Sequence, residues 1–91
     1  MTSENRVLSI VNEKGLHARA SAKFVETVEK FDARATVSRD GMDVSGDSIM
    51  GLLMLGAAKG CEIDVTTKGE DAADLMDALA ALVSDKFGEG R

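Results

Sequence analysis

Apolar residues recur along the chain with two different spacings, and the changes between them divide the sequence into elements. Alternation of apolar and polar residues is typical of strands, and recurrence every three or four residues is typical of helices. On this pattern we predict strands at residues 6–11, 33–38, 42–45 and 61–68. We predict helices at residues 18–30, 49–55 and 72–87, and a frayed tail at residues 88–91. The buried stripe of the last helix is formed by Ala72, Leu75, Met76, Leu79, Leu82 and Val83.

The order of these elements, β-α-β-β-α-β-α, limits the fold class. Asp40-Gly41 is a strong hairpin signal because glycine tolerates the positive φ of tight turns, so at least one strand pair is antiparallel. Strands with one apolar face each, together with the helices, imply a two-layer α+β sandwich with the helices on one side. At 91 residues the chain has the size of one small domain, which we place at residues 1–91.

The second predicted helix is apolar on nearly all sides, and so short a helix cannot bury every face in a small domain. Leu52 and Leu55 are three positions apart and share the face that we expect to lie in the core. Ile49, Met50 and Leu53 then lie on another face. Because exposed apolar clusters commonly mark binding sites, we predict that these three residues form a partner-binding surface, called the apolar patch below. The alternative is that all of these side chains are buried.

His17 is the only histidine in the sequence, and it lies where a predicted loop at residues 12–15 gives way to the first helix. The first N–H groups of a helix lack internal partners and carry partial positive charge, so such a position binds anions, phosphate above all. Arg19 adds a planar set of donors two residues later. This combination predicts a phosphohistidine site. The alternative is a surface or core histidine without a chemical role.

Composition narrows the choice of partners and ligands. A net charge of −5 and a pI near 4.7 argue against nucleic acid. Cys61 is the single cysteine, which permits neither an internal disulfide nor a cysteine metal cluster, and we expect it to be a small buried residue. The carboxylates are scattered, so we expect no metal and no cofactor. No apolar run is long enough for a membrane span, and residues 1–6 lack the pattern of a signal peptide, so we expect a cytoplasmic protein.

Two blocks of sequence carry a resemblance to a known family. Residues 15–25 read GLHARASAKFV, and residues 47–60 read DSIMGLLMLGAAKG. With the element order, these blocks resemble the HPr family, the histidine-containing phosphocarrier proteins of the bacterial phosphoenolpyruvate-dependent phosphotransferase system. The loop at residues 12–15 resembles the nitrogen-related branch more than the sugar-dedicated one. The resemblance implies an open-faced β-sandwich, with an antiparallel sheet of order 1-4-2-3 and three helices on one face.

The resemblance also implies an activity, which is phosphoryl relay by a carrier that is not itself an enzyme. Enzyme I, charged by phosphoenolpyruvate, phosphorylates the histidine on Nδ1, and the carrier passes the group to an enzyme IIA protein. By resemblance His17 is the acceptor, Arg19 stabilises the phosphate, and the apolar patch contacts both partners. The carrier acts as a monomer in sugar transport or in a regulatory pathway, and the final phosphate acceptor is accordingly a sugar or a regulatory protein.

Ser48 matches the family's regulatory serine, which an ATP-dependent kinase and phosphatase modify in some bacteria. Its position before the second helix also makes it a good N-cap. The chain departs from the family at Ala20, where proline usually follows the active-site arginine. Two rival functions are a regulatory binding module that relays no phosphate and a histidine phosphotransfer domain of a two-component pathway. The second is a helical bundle, which the alternating strands argue against.

Overall fold

A computed structural model describes residues 2–91, which form a four-stranded sheet, three α-helices and a final 3-10 turn. The strands are β1 (Thr2–Ser9), β2 (Ala33–Arg39), β3 (Met42–Ser45) and β4 (Glu62–Gly69). The helices are α1 (Ala18–Glu29), α2 (Ile49–Met54) and α3 (Ala72–Ser84), and the 3-10 turn is Lys86–Gly88. The predicted element order is therefore confirmed.

The sheet has the order β1-β4-β2-β3, and each neighbouring pair is antiparallel. The hairpin between β2 and β3 turns at Asp40 and Gly41, whose φ values of 51° and 81° lie in the left-handed region that such turns need. The α+β class agrees with the sequence prediction, and the 1-4-2-3 order is the one that the family resemblance implies. The sheet also excludes the all-helical phosphotransfer bundle.

The core lies between one face of the sheet and the helices. Val37 of β2 pairs with Val65 of β4, and both are fully buried, as are Phe24 of α1, Leu52 of α2 and Leu79 of α3. Burial of each such side chain stabilises the fold by about 1.5–3 kcal/mol. The same core therefore fixes all three helices against the sheet.

The first strand begins and ends earlier than its apolar alternation indicates. Asn5 accounts for the early start, because its Nδ2 donates to Asp64 Oδ1 at 2.6 Å and to Thr66 Oγ1 at 2.8 Å on β4. Polar contacts between strands stabilise this part of the ladder, and hydrophobic periodicity does not detect them. Val11, predicted to lie in the strand, follows it and is exposed.

The C-terminal region differs most from the prediction. α3 ends at Ser84, and Lys86 and Phe87 have positive φ values of 56° and 54°. This turn brings the Phe87 ring into the core, where it is fully buried. The tail after it is not frayed, since the N–H of Glu13 donates to the carbonyl oxygen of Arg91 at 3.1 Å.

Two side chains are less buried than predicted. Leu82 of α3 is only partly buried, at the edge of the helix stripe. Cys61 is likewise partly buried, and its Sγ lies 3.2 Å from Nη2 of Arg39, which approaches from β2. Arg39 also donates through Nη1 to the carbonyl oxygen of Leu55 at 2.9 Å, which satisfies a free carbonyl at the end of α2.

Candidate functional site

His17 is the N-cap residue of α1, as the sequence predicted. Its backbone is extended, with φ −77° and ψ −177°, and its carbonyl oxygen accepts the N–H of Ser21 at 2.8 Å. The imidazole makes no cap hydrogen bond. The side chain is therefore free to act away from the helix, while the N–H groups of the first turn stay without helical partners.

Backbone contacts with the segment after α2 hold the loop before His17. The N–H of Leu16 donates to the carbonyl oxygen of Ala57 at 2.8 Å. Gly15 has φ +65°, and a Cβ at this position would lie 2.5 Å from the same oxygen. Only glycine tolerates this positive φ and has no Cβ to clash with the oxygen, so the start of α1 depends on Gly15.

One of the two ring nitrogens of His17 is engaged. Nε2 is hydrogen-bonded to Oε2 of Glu89, in the tail that follows the 3-10 turn, and the side chains of His17 and Glu89 are only 27% and 16% exposed. Among residues 2–91, Nδ1 has no hydrogen-bond partner. The geometry therefore leaves Nδ1 as the nitrogen available to a reacting group.

A hydrogen bond from Asn12 holds the side chain of Glu89. Nδ2 of Asn12, a fully buried residue, donates to Oε1 of Glu89 at 2.9 Å and to the carbonyl oxygen of Gly15 at 2.8 Å. Burial raises the pKa of Glu89, but hydrogen bonds from Asn12 and His17, the charge of Lys14 and the charge of His17 when its ring is protonated together lower it below its usual value. The side chain is therefore a carboxylate at neutral pH.

His17 faces a cleft whose walls carry positive charge. The cationic residues Lys14, Arg19, Lys23 and Arg91 line this cleft, called the cationic cleft below, and outnumber its two carboxylates, Glu13 and Glu89, in a chain whose net charge is −5. Arg19 is exposed, whereas Lys23 is tied by its Nζ to the carbonyl oxygen of Phe87 at 2.6 Å. A dianionic group placed next to the imidazole would meet these cations and the N-terminus of α1.

Ser48 lies at the start of α2, with the apolar patch on the exposed side of that helix. The Ser48 hydroxyl accepts the N–H of Gly51 at 3.0 Å, so the predicted N-cap is confirmed. Ile49, Met50 and Leu53 are 40%, 70% and 37% exposed, whereas Leu52 and Leu55 are buried. The structure thus divides the apolar residues of α2 between surface and core as the sequence predicted.

The structure separates the predicted residues into two neighbouring groups. His17 and Arg19 share the cationic cleft, while Ser48 and the apolar patch lie on α2, which packs against α1.

Three residues near these groups escaped the sequence analysis. Glu89 and Asn12 have no local sequence signal, since they are far from each other in the chain. Met54, which is 66% exposed, lies four residues after Met50, and helical spacing alone could have added it to the patch.

The described residues contain neither a group of candidate metal ligands nor a helix that could span a membrane. Within residues 2–91, no three His, Cys, Asp or Glu side chains come together in a group suited to a metal ion. None of the helices formed by this part of the chain has both the length and the apolar character that a bilayer crossing requires.

Comparisons with known proteins agree with this geometry. Residues 5–85 match the family model described as "PTS HPr component phosphorylation site". The phosphocarrier protein HPr of Neisseria meningitidis serogroup A is 48% identical over 83 residues, which cover 91% of this chain and 93% of that protein. The phosphocarrier protein NPr of Shewanella violacea is 42% identical over 89 residues, covering 98% of each chain. Relatives of both names match, so assignment to the nitrogen-related branch stays a prediction.

A solved structure shows the same fold. The crystal structure of HPr-C-His from Thermoanaerobacter tengcongensis has a TM-score of 0.90 and 37% sequence identity, and the match covers 94% of this chain and 97% of that one. Sequence, fold and family model thus agree, and the chain belongs to the HPr family, the phosphocarrier proteins of the bacterial phosphotransferase system.

Proposed function

We propose that residues 1–91 act as a single phosphocarrier domain that accepts a phosphoryl group on Nδ1 of His17 and passes it on. The donor is enzyme I charged by phosphoenolpyruvate, and the acceptor is an enzyme IIA protein. The observation that carries this proposal is the His17 ring itself. Its Nε2 is engaged by Glu89, while Nδ1 lies without a partner among residues 2–91, beside a helix N-terminus and the cationic cleft.

The transfer step needs little from the carrier beyond position and charge. The lone pair of Nδ1 forms a bond to phosphorus, and the bond from phosphorus to the donor atom of charged enzyme I breaks with its electron pair returning to that atom. Arg19 and the first N–H groups of α1 supply positive charge for the phosphoryl oxygens. The bond between Nδ1 and phosphorus breaks when enzyme IIA takes the group. Neither step uses a metal ion in this proposal.

The remaining parts of the proposal concern partners and place. The apolar patch is the docking surface for enzyme I and enzyme IIA, and Ser48 is a regulatory site for an ATP-dependent kinase and phosphatase. The carrier works as a monomer in the cytoplasm, without nucleic acid or membrane as a partner.

The first test is incubation with enzyme I and phosphoenolpyruvate, which is expected to give an acid-labile, base-stable phosphoprotein. A chain that takes up no phosphate would overturn the proposal.

Replacement of Arg19 by alanine is expected to slow phosphoryl transfer by about tenfold or more, since hydrogen bonds to charged groups contribute about 1.5–3 kcal/mol. Arg19 is exposed, so stability is expected to change by only about 0.5 kcal/mol. The rate with enzyme I and the thermal midpoint measure the two effects. Arg34→Ala, at an exposed arginine of β2, is the matched control. Normal transfer by Arg19→Ala contradicts its role.

Substitutions of Ser48 separate a regulatory switch from a structural cap. Ser48→Asp keeps a capping side chain and adds a negative charge beside Asp47 and the apolar patch, so it is expected to be stable but a poor acceptor from enzyme I. Ser48→Ala loses the bond to Gly51 and about 1 kcal/mol of stability, but remains a good acceptor. Ser48→Asn caps without charge and is expected to match the wild type. Equal acceptor rates for all three variants would show that Ser48 serves only as the N-cap of α2.

A further inference from the structure

The contact between His17 and Glu89 joins residues 72 positions apart in the chain. Each carboxylate oxygen of Glu89 has its own donor, Nε2 of His17 at Oε2 and Nδ2 of Asn12 at Oε1. Both partners of the Asn12 amide nitrogen, Glu89 and the carbonyl of Gly15, are acceptors, so the orientation of that amide is fixed. The carboxylate is thus a built part of the site.

The tail that carries Glu89 is anchored by the core. Phe87, two residues earlier, is fully buried, and its carbonyl oxygen accepts from Nζ of Lys23 on α1. Beyond Glu89, the carbonyl oxygen of Arg91 accepts the N–H of Glu13 in the loop before His17. These contacts hold the backbone of the tail against α1 and the loop on both sides of the carboxylate.

A carboxylate accepts hydrogen bonds and does not donate them, so the shared proton belongs to Nε2 of the imidazole. In a neutral ring, a proton on Nε2 leaves the lone pair on Nδ1. We infer that Glu89 is a positioning residue for phosphoryl transfer, because it keeps the proton on Nε2 and leaves the Nδ1 lone pair for the incoming phosphoryl group. This inference rests on the proposed function and deepens it.

The charge of Glu89 matters during the transfer as well. When Nδ1 forms its bond to phosphorus, the ring keeps its Nε2 proton and becomes positively charged, while the donor atom recovers the electron pair of the broken bond. The carboxylate next to Nε2 offsets this charge. When the group moves on, the electron pair of the N–P bond returns to Nδ1 and the ring is neutral again. The carrier therefore works in both directions without gaining or losing a proton.

Two variants test the carboxylate. Glu89→Gln keeps the size of the side chain but has one acceptor oxygen for the two donors, Asn12 and His17, whereas Glu89→Leu has none. Since His17 is the only histidine, ring nitrogen NMR of protein labelled with ¹⁵N-histidine reports its tautomer without overlap. We expect Nε2–H alone in the wild type, a smaller share of it in Glu89→Gln, and a mixture of tautomers in Glu89→Leu. Both variants are expected to accept phosphate from enzyme I about tenfold more slowly or worse.

Glu26→Gln is the matched control, because it removes one negative charge from an exposed residue of α1 that does not line the cleft, and it is expected to keep the wild-type tautomer and a rate within about twofold. The inference is overturned if Glu89→Leu keeps the Nε2–H tautomer, or if its rate stays within twofold of the wild type. Thermal unfolding measures the fraction of unfolded protein. A loss of rate no larger than this fraction explains would also overturn the inference. A wild type that accepts no phosphate rejects the proposed function instead, while NMR still tests Glu89.

Discussion

Replacement of His17 by alanine is expected to abolish phosphorylation by enzyme I and phosphoenolpyruvate while leaving the fold intact. The side chain is partly exposed and makes no helix-cap hydrogen bond, so α1 loses little when it is removed. No other residue of the chain has an imidazole to replace the lost nucleophile. Intact-mass measurement after incubation gives the phosphate content directly.

The stability of the bound phosphate distinguishes the acceptor from other residues. A phosphoryl group on an imidazole nitrogen is released in acid and kept in base, so the wild-type label is expected to show this pattern and His17→Ala no label. His17→Gln is a useful second variant, because its amide preserves polarity without a nucleophilic ring nitrogen. Full labelling of either variant would place the acceptor elsewhere in the chain.

Replacement of Met50 by aspartate is expected to weaken binding to enzyme I by about 30-fold, the equivalent of about 2 kcal/mol for a central interface residue. Among residues 2–91, Met50 is the most exposed large apolar residue, at 70%, so thermal stability is expected to change little. Titration calorimetry with enzyme I measures the affinity, and a thermal unfolding curve measures the stability.

Two further aspartate substitutions make this test specific. Met42→Asp adds the same charge at another exposed methionine, on β3 and outside the apolar patch, and is expected to bind normally. Leu52→Asp places an unpaired charge in the core, where even truncation of leucine costs about 2–5 kcal/mol, and is expected to unfold the protein. Equal affinities for Met50→Asp and Met42→Asp would show that the patch is not the docking surface.

The parts of the structure that sequence reasoning predicts are those determined by local patterns. Alternation of apolar and polar residues predicted β2 and β4, and helical spacing predicted α1, α2 and α3. The position of Ser48 before α2 predicted its N-cap. These signals depend on neighbours within about four residues, which is the range of side-chain contacts in a helix or along a strand. The split of α2 into buried Leu52 and exposed Met50 follows from the same spacing.

The unpredicted parts depend on contacts between distant segments. Glu89 meets His17 only because Phe87 enters the core and Asn12 turns its amide toward the tail. Hydrophobic periodicity gives no signal for such a turn, since Lys86 and Phe87 take left-handed conformations that are rare outside glycine. The early start of β1 has a similar cause, because polar contacts of Asn5 across the sheet have no apolar pattern.

The backbone bond between Leu16 and Ala57 has a consequence for how this carrier changes partners over time. It helps to set the separation between His17 and α2 without using any exposed side chain. Leu52 and Leu55 anchor the same helix from below, so Ile49, Met50 and Leu53 are free to vary as long as the helix stays in place. If the apolar patch docks the acceptor proteins, as we propose, copies of a duplicated gene can acquire different acceptors through surface substitutions alone, while the chemistry at His17 stays the same.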